Sequence, residues 1–129
     1  MRWGEKKQIS IQSIKTQRLL ADKCVEAVRF TERLRGLIGR ESLLDGEGMY
    51  FPSCNSIHMW FMSIPIDVVF VRKKNGDASR IVEVLSVFED VKPWRVLPVS
   101  CWKADDVIEL PVGIVRENKI QVGDLLCIV

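Results

Sequence analysis

A chain of 129 residues has the length of one domain and can bury a hydrophobic core without disulfides or structural metals. Its formal net charge of +2 is too small for a dedicated nucleic-acid-binding protein, which carries a strongly basic patch. The most apolar run, residues 64–71, contains an aspartate and falls well short of the ~18 residues that a transmembrane helix needs. We therefore predict a single domain over residues 1–129, with no transmembrane segment and no nucleic-acid partner.

Short segments rich in valine and isoleucine dominate the chain and predict β-strands. In chain order they are residues 9–11, 18–21, 24–28, 67–73, 80–88, 107–110 and 125–129. Asn75-Gly76 predicts a hairpin between the fourth and fifth of them, because both central residues of a type I′ turn need a positive φ. One α-helix is predicted over about residues 31–38, with Thr31 as its cap and Gly39 as its end. Many strands and one short helix predict a mainly β fold, a compact β-sandwich or barrel-like domain.

The cysteines and the N-terminus indicate a compartment. The four cysteines are widely spaced and form no C-x-x-C pair: Cys24, Cys54, Cys101 and Cys127. In a domain with its own core this pattern favours reduced, mostly buried thiols, and one or two disulfides in an exported protein are the alternative. Basic residues near the N-terminus are not followed by the apolar segment of a signal peptide. We expect a cytoplasmic protein, with export of a processed form as the alternative.

The segment CNSIHMWFM, residues 54–62, contains the only histidine of the chain. As a strand it would have an apolar face and a mixed, polar face, the latter made of Cys54, Ser56, His58, Trp60 and Met62. The mixed face is a candidate binding surface, since a strand face turned to solvent normally carries charged residues or threonine. On a straight strand the Cα atoms of Cys54 and His58 lie about 13 Å apart, which is too far for a catalytic pair or a shared metal. We therefore predict no metal site and no cofactor.

Asp67 interrupts an apolar run, and a buried carboxylate must be paired or hydrogen-bonded. We predict that Asp67 caps a turn after Pro65 or pairs with an arginine. Arg33 and Arg40 lie near one stripe of the predicted helix and are the candidate arginines. Other candidate partners for them are Glu109 and Asp124. The same arginines are alternatively suited to hold an anion, because a guanidinium matches carboxylate and phosphate geometry.

Several short motifs occur in order over most of the chain: residues 33–40 (RLRGLIGR), 48–51 (GMYF), 56–62 (SIHMWFM), 64–70 (IPIDVVF), 107–113 (VIELPVG) and 122–124 (VGD). Together they resemble an uncharacterised bacterial and archaeal family, the domain of unknown function 192. Ile38 and Val112 depart slightly from its usual pattern. The resemblance implies a compact, mostly β domain, sandwich or jelly-roll-like, with one short helix and no established reaction. The resemblance also implies an association with pilus or export machinery.

These features predict a non-enzymatic β domain that binds a small ligand, a peptide or a protein partner, and they leave the oligomeric state open. The predicted binding surface consists of Ser56, His58, Trp60, Arg33, Arg40 and Asp67. One alternative is a small enzyme that uses His58 as general base with Asp67 or Glu109 as acid or orienting group. Another alternative is an accessory factor of a pilus or export assembly, with exposed apolar residues as its interface.

Overall fold

The fold is a closed β-barrel. A computed structural model describes residues 8–26, 43–57, 64–76, 80–93, 95 and 97–129. The described strands are β1 (Gln8–Ser13), β2 (Leu19–Glu26), β3 (Glu47–Phe51), β4 (Ser56–Ile57), β5 (Ile66–Lys73), β6 (Ile81–Val91), β7 (Val99–Ser100), β8 (Asp106–Leu110) and β9 (Leu125–Ile128), and the described helix is α1 (Ile114–Glu117). The barrel has the strand order β1-β2-β3-β8-β5-β6-β9, while β4 and β7 form a two-stranded sheet of their own. The predicted mainly β, barrel-like fold is confirmed.

Neighbouring strands of the barrel are antiparallel, except that β2 and β3 are parallel. Parallel neighbours need a long crossover connection, and most of this connection, residues 27–42, lies outside the described ranges. The helix predicted over residues 31–38 lies there too. Within the described ranges no helix is long and apolar enough to cross a bilayer.

The barrel interior is packed with side chains. Alternate residues of each strand point inward, and they form one buried cluster that includes Ile11, Tyr50, Val69, Val71, Val84, Ile108, Leu110 and Leu126. A barrel of this size has an interior just wide enough for side chains to fill. The centre of the barrel is therefore a hydrophobic core.

A second apolar cluster covers one outer face of the barrel. It contains the outward-facing residues of β3, β5 and β8 together with residues of β4 and β7, including Met49, Phe51, Ile57, Val68, Phe70, Val99 and Val107. The rings of Phe70 and Phe88 meet edge to face, with centroids 5.8 Å apart, an arrangement that aromatic pairs prefer. Because β5 and β8 are covered on both sides, nearly all of their residues are buried, including the acidic residues Asp67, Asp106 and Glu109.

The predicted hairpin is confirmed, and its connection is longer than a two-residue turn. β5 and β6 pair antiparallel from Ile66 opposite Val91 to Lys73 opposite Val82. Asn75 and Gly76 both have positive φ, 61° and 95°. The two short strands predicted over residues 18–21 and 24–28 are instead parts of one strand, β2, whose register against β1 is irregular.

Candidate functional site

One end of the barrel is closed by Asp67, which lies on the inward face of β5 and is fully buried. Its Oδ2 accepts hydrogen bonds from the backbone N–H groups of Gly113 and Val115, both at 3.1 Å. Its Oδ1 accepts a third from the N–H of Asp90 at 2.9 Å. The carboxylate thus caps the start of α1, whose first N–H groups have no partner inside so short a helix. Asp67 is hydrogen-bonded as predicted, but its described donors lie at the cap and first turn of α1 and on β6, and not in a turn after Pro65.

The opposite end of the barrel carries a second fully buried aspartate, Asp106 at the start of β8. The hydroxyl of Tyr50 donates a short hydrogen bond to its Oδ2. The backbone N–H of Ser53 donates to its Oδ1 at 2.9 Å. The Nζ of Lys73 lies 3.9 Å from the same Oδ1, which is within ion-pair range but beyond a hydrogen bond. Strand order brings these groups together, because β8 lies between β3, from which Tyr50 points inward, and β5, which ends at Lys73.

A pocket of about 440 Å³, here called the barrel-mouth pocket, opens above this group. Its apolar lining residues are Ile9, Pro52, Ile128 and Val129, and its polar and charged ones are Gln8, Glu26, Tyr50, Lys73, Arg80 and Asp106. The volume and the mixture of an apolar wall with a few convergent polar groups are typical of small-ligand sites. These features make the barrel mouth the candidate functional site.

Tyr50 is held as a neutral phenol. Burial raises its pKa above the usual range of tyrosine, and the hydrogen bond to Asp106 and the charge of that carboxylate raise it further. Ionisation would place two negative charges side by side in a poorly solvated site. At neutral pH Tyr50 therefore serves as a fixed hydrogen-bond donor and cannot act as a general base.

Two further pockets lie outside the barrel mouth. A pocket of about 340 Å³ is lined by Ser53, Cys54, Asn55, Lys73, Ala104 and Asp105, so that it shares Lys73 with the barrel-mouth pocket. The thiol of Cys54 donates to the carbonyl oxygen of Ser56 at 3.2 Å. A pocket of about 350 Å³ lies towards the other end of the barrel, beside the start of β2 and α1. Neither combines buried charged groups with an apolar wall as the barrel mouth does.

Only two residues of the predicted binding surface fall within the described ranges. Ser56 is on β4, and its hydroxyl lies 2.9 Å from the hydroxyl of Ser100 on β7. Asp67 is sealed at the closed end of the barrel. Arg33, Arg40, His58 and Trp60 lie outside the described residues. The surface as a whole therefore stays a prediction.

The two carboxyl groups considered for catalysis lie on opposite sides of the barrel wall. Asp67 faces the interior, whereas Glu109 alternates with the inward-facing Ile108 and Leu110 and stands on the outer face. There it is flanked by Met49 and Val68, its partners in the two neighbouring strands. Burial raises the pKa of Glu109 to about 8. Asp67 and Glu109 thus cannot serve one site together.

The described part of the chain contains no disulfide bond and no cluster of potential metal ligands. It contains no group of three or more histidine, cysteine, aspartate or glutamate side chains arranged to hold a metal ion. All four cysteines are free thiols, and Cys24 is the buried one while the other three are half-buried.

Sequence reasoning missed the residues of the barrel mouth. Tyr50 and Asp106 are 56 positions apart, and Lys73 lies on a third strand, so no local spacing connects them. Asp106 follows Lys103, Ala104 and Asp105, so it does not interrupt an apolar run as Asp67 does, and the local sequence gives no signal that it is buried.

The sequence matches a family model over residues 12–128, nearly the whole described barrel. The chain belongs to family DUF192. The family is described as "Uncharacterized ACR". Two similar curated proteins are UPF0127 proteins of Thermococcus kodakarensis, 31% identical over 101 residues, and of Thermococcus gammatolerans, 32% identical over 101 residues. These matches cover 75% of this DUF192 chain but only 59% and 60% of the two relatives, so the chain spans about three fifths of the length of the curated relatives it matches.

Solved structures show the same fold. A protein of unknown function from Novosphingobium aromaticivorans DSM 12444 superimposes with a TM-score of 0.72 at 23% identity, covering 92% of this chain and 81% of that one. A Sinorhizobium meliloti 1021 protein, named as a candidate transcription regulator, gives a TM-score of 0.72 at 20% identity and covers 92% and 89% of the two chains. At these identities the similarity shows only that the fold is shared.

Proposed function

We propose that this DUF192 chain is a non-enzymatic β domain that binds a small ligand in the barrel-mouth pocket. The observation that carries the proposal is the buried pair of Tyr50 and Asp106, with Lys73 beside it, under an open pocket of about 440 Å³. A buried polar group of this kind costs desolvation energy, and it is stable only because its members satisfy one another. Such a group at the floor of a pocket provides fixed polar contacts for a ligand.

The chemistry of the pocket supports binding over catalysis. The Tyr50 hydroxyl already donates its proton, and both oxygens of Asp106 already accept hydrogen bonds. A general base needs a pKa near the working pH and a free lone pair directed at the substrate. The raised pKa of Tyr50 keeps it from meeting the first requirement, whereas rigid, satisfied polar groups suit recognition.

A matched pair of blocking variants tests the proposal. N-phenyl-1-naphthylamine, a neutral probe that fluoresces in apolar sites, is titrated against the wild type, Gln8→Trp and Leu19→Trp. Gln8 lines the barrel mouth, so an indole there should fill the pocket and weaken binding by about tenfold or more. Leu19 lies in the pocket at the other end and serves as the control. Undetectable binding to the wild type, or equal binding by a Gln8→Trp protein that melts normally, would refute a ligand site at the barrel mouth.

Native mass spectrometry of the same three proteins looks for the natural ligand. A co-purifying small molecule retained by the wild type and by Leu19→Trp, and absent from Gln8→Trp, would support the proposal and give the ligand's mass. A small molecule retained equally by all three would place it elsewhere.

A second candidate function is recognition of a peptide or protein partner by the predicted surface of Ser56, His58 and Trp60 with Arg33 or Arg40. Trp102 supports it, because this side chain follows β7 and is 79% exposed. The Nζ of Lys103 lies 5.4 Å from the centre of its ring. Aromatic residues beside a cation are typical of binding hot spots. A partner that is retained by the wild type and by Leu19→Ser, and lost by both Trp102→Ser and His58→Ala, would favour this function.

A further inference from the structure

We infer that the ligand of the barrel-mouth pocket is a small organic monoanion, with an apolar body and one oxyanion head group held between Arg80 and Lys73. The inference rests on the proposed function and adds the chemical class of the ligand. Four charged side chains line the pocket: Glu26, Lys73, Arg80 and Asp106. The ligand class depends on which of these charges a bound molecule can reach.

The negative charge of Asp106 is turned inward. The side chain is fully buried, and its two oxygens accept hydrogen bonds from Tyr50 and the Ser53 backbone. A cationic ligand would have to displace one of these donors to approach the carboxylate. Displacement would leave a buried donor without a partner, which costs about 1–3 kcal/mol. The pocket therefore offers little to a cation at this position.

The positive charges are more accessible. Arg80 is exposed, and no side chain among the described residues forms an ion pair with it. The Nζ of Lys73 lies 3.9 Å from Asp106, so Asp106 fixes its position without taking its hydrogen bonds. Together they present a guanidinium and an ammonium at one pocket, which is the arrangement that carboxylates and other oxyanions bind.

The remaining lining sets the body and the total charge of the ligand. Ile9, Pro52 and Ile128 form an apolar wall, which favours a hydrocarbon or aromatic body. Lys73 lies within ion-pair range of Asp106, so Arg80 is the cation of the lining that no described side chain pairs with. One negative charge on a ligand is therefore matched, whereas the several charges of a polyphosphate are not. These facts favour a monoanion over a nucleotide.

Two probes with the same body test the charge requirement. 8-Anilino-1-naphthalenesulfonate carries one negative charge that N-phenyl-1-naphthylamine lacks. The wild type should bind the anionic probe about tenfold more tightly, as expected for a charge-assisted hydrogen bond. Arg80→Gln and Lys73→Gln should each remove most of this preference, measured as the ratio of the two probe affinities of the same variant. Lys74→Gln is the matched control, because Lys74 pairs with Glu83 at 3.3 Å and is not part of the pocket lining.

Competition then separates the ligand classes. Octanoate should displace the anionic probe more effectively than octylamine or octyl phosphate, which carry a positive charge and nearly two negative charges. Equal binding of both probes, no effect of Arg80→Gln and Lys73→Gln, or stronger competition by octylamine or octyl phosphate would overturn the inference and leave the ligand site intact. If neither probe responds to Gln8→Trp, the proposed function fails and the inference fails with it.

Discussion

Asp67 and Asp106 lie at the two ends of one strand pair, Asp67 opposite Leu110 and Asp106 opposite Val71 in the β5–β8 register. Both face the barrel interior and both are fully buried. Their partners differ: Asp67 binds backbone N–H groups of fixed segments, whereas Asp106 binds Tyr50 under an open pocket. One aspartate therefore closes its end of the barrel, and the other lies beneath the pocket at the opposite end.

Replacing Asp67 should destabilise the protein strongly. In the Asp67→Asn variant the introduced amide could accept at one oxygen only, and its NH₂ group would face at least one backbone N–H donor. We expect a loss of about 2–4 kcal/mol in the free energy of unfolding, because a charged acceptor is lost and a buried donor is left without a partner. Urea unfolding followed by circular dichroism measures the change. Asp45→Asn, at an exposed position, is the control, and a loss below about 0.5 kcal/mol for Asp67→Asn would contradict the capping role.

Tyr50 is the only tyrosine of the chain, so tyrosinate absorbance reports on it alone. Burial and Asp106 raise its pKa above the usual range, so the folded protein should show no ionisation near pH ~10, where free tyrosine titrates. The unfolded chain does ionise there, so the stability that the neutral phenol contributes is fully present at lower pH and falls as the pH rises past that point. Tyrosinate absorbance should appear only as the protein unfolds.

The Asp106→Asn variant provides the comparison. Removing the carboxylate removes the charge that opposes ionisation, so a folded variant should form tyrosinate at lower pH than the wild type. Reversible ionisation of the folded wild type near pH ~10 would show that Tyr50 is not held in the buried pair.

The sequence predicted those parts of the fold that depend on local pattern. Alternation located β1, composition rich in valine and isoleucine located β5 and β8, and Asn75-Gly76 located the β5–β6 hairpin. The parallel pairing of β2 with β3 and the closure of β9 on β1 were not predictable in this way, because they depend on contacts between distant segments. The segment Ile114–Glu117 was missed as a helix because only four residues are helical and its cap, Asp67, is 48 positions from Val115.

Contacts between distant segments also limited what the sequence could predict about the candidate site. Because Asp67 lies in an apolar run, the sequence predicted that its carboxylate needs a hydrogen-bonding partner. The sequence did not predict which residues those partners are. Asp106 did not meet this criterion, because it follows the polar residues Lys103 and Asp105, and its partner Tyr50 lies on a strand that is adjacent only in the folded barrel. A buried charge is thus readable in a sequence where it interrupts an apolar run, whereas the pairs that such charges form require the topology.

Cys24 should be the least reactive thiol. Burial first, and then the charges of Glu26 and Glu109, raise its pKa to about 12, so almost none of it is thiolate at neutral pH. Thiolate is the form that reacts with alkylating agents. Iodoacetamide labelling read by peptide mass spectrometry should modify Cys54, Cys101 and Cys127 well before Cys24, and in denaturant all four should react at similar rates. Equal labelling of Cys24 in the folded protein would contradict its burial.

Glu109 should make the protein less stable as the pH rises. Burial between apolar residues raises its folded pKa to about 8, while in the unfolded chain it titrates near ~4.3. Between these values the folded state holds a proton that the unfolded state has released, so the free energy of unfolding falls with increasing pH by up to about 1.4 kcal/mol per unit. Above the folded pKa this loss is complete.

Glu109→Gln tests the assignment, because glutamine keeps the shape of the protonated acid and does not titrate. The variant should lose most of the pH dependence between about pH 5 and 8 and be more stable than the wild type at the upper end of that range. Glu117→Gln, on the exposed side of α1, should leave the dependence unchanged. If urea unfolding of Glu109→Gln follows the wild-type pH profile, then the carboxyl is ionised in the folded protein. An ionised Glu109 would need a cationic partner, and Arg33 and Arg40 are the residues that the sequence predicts for that role.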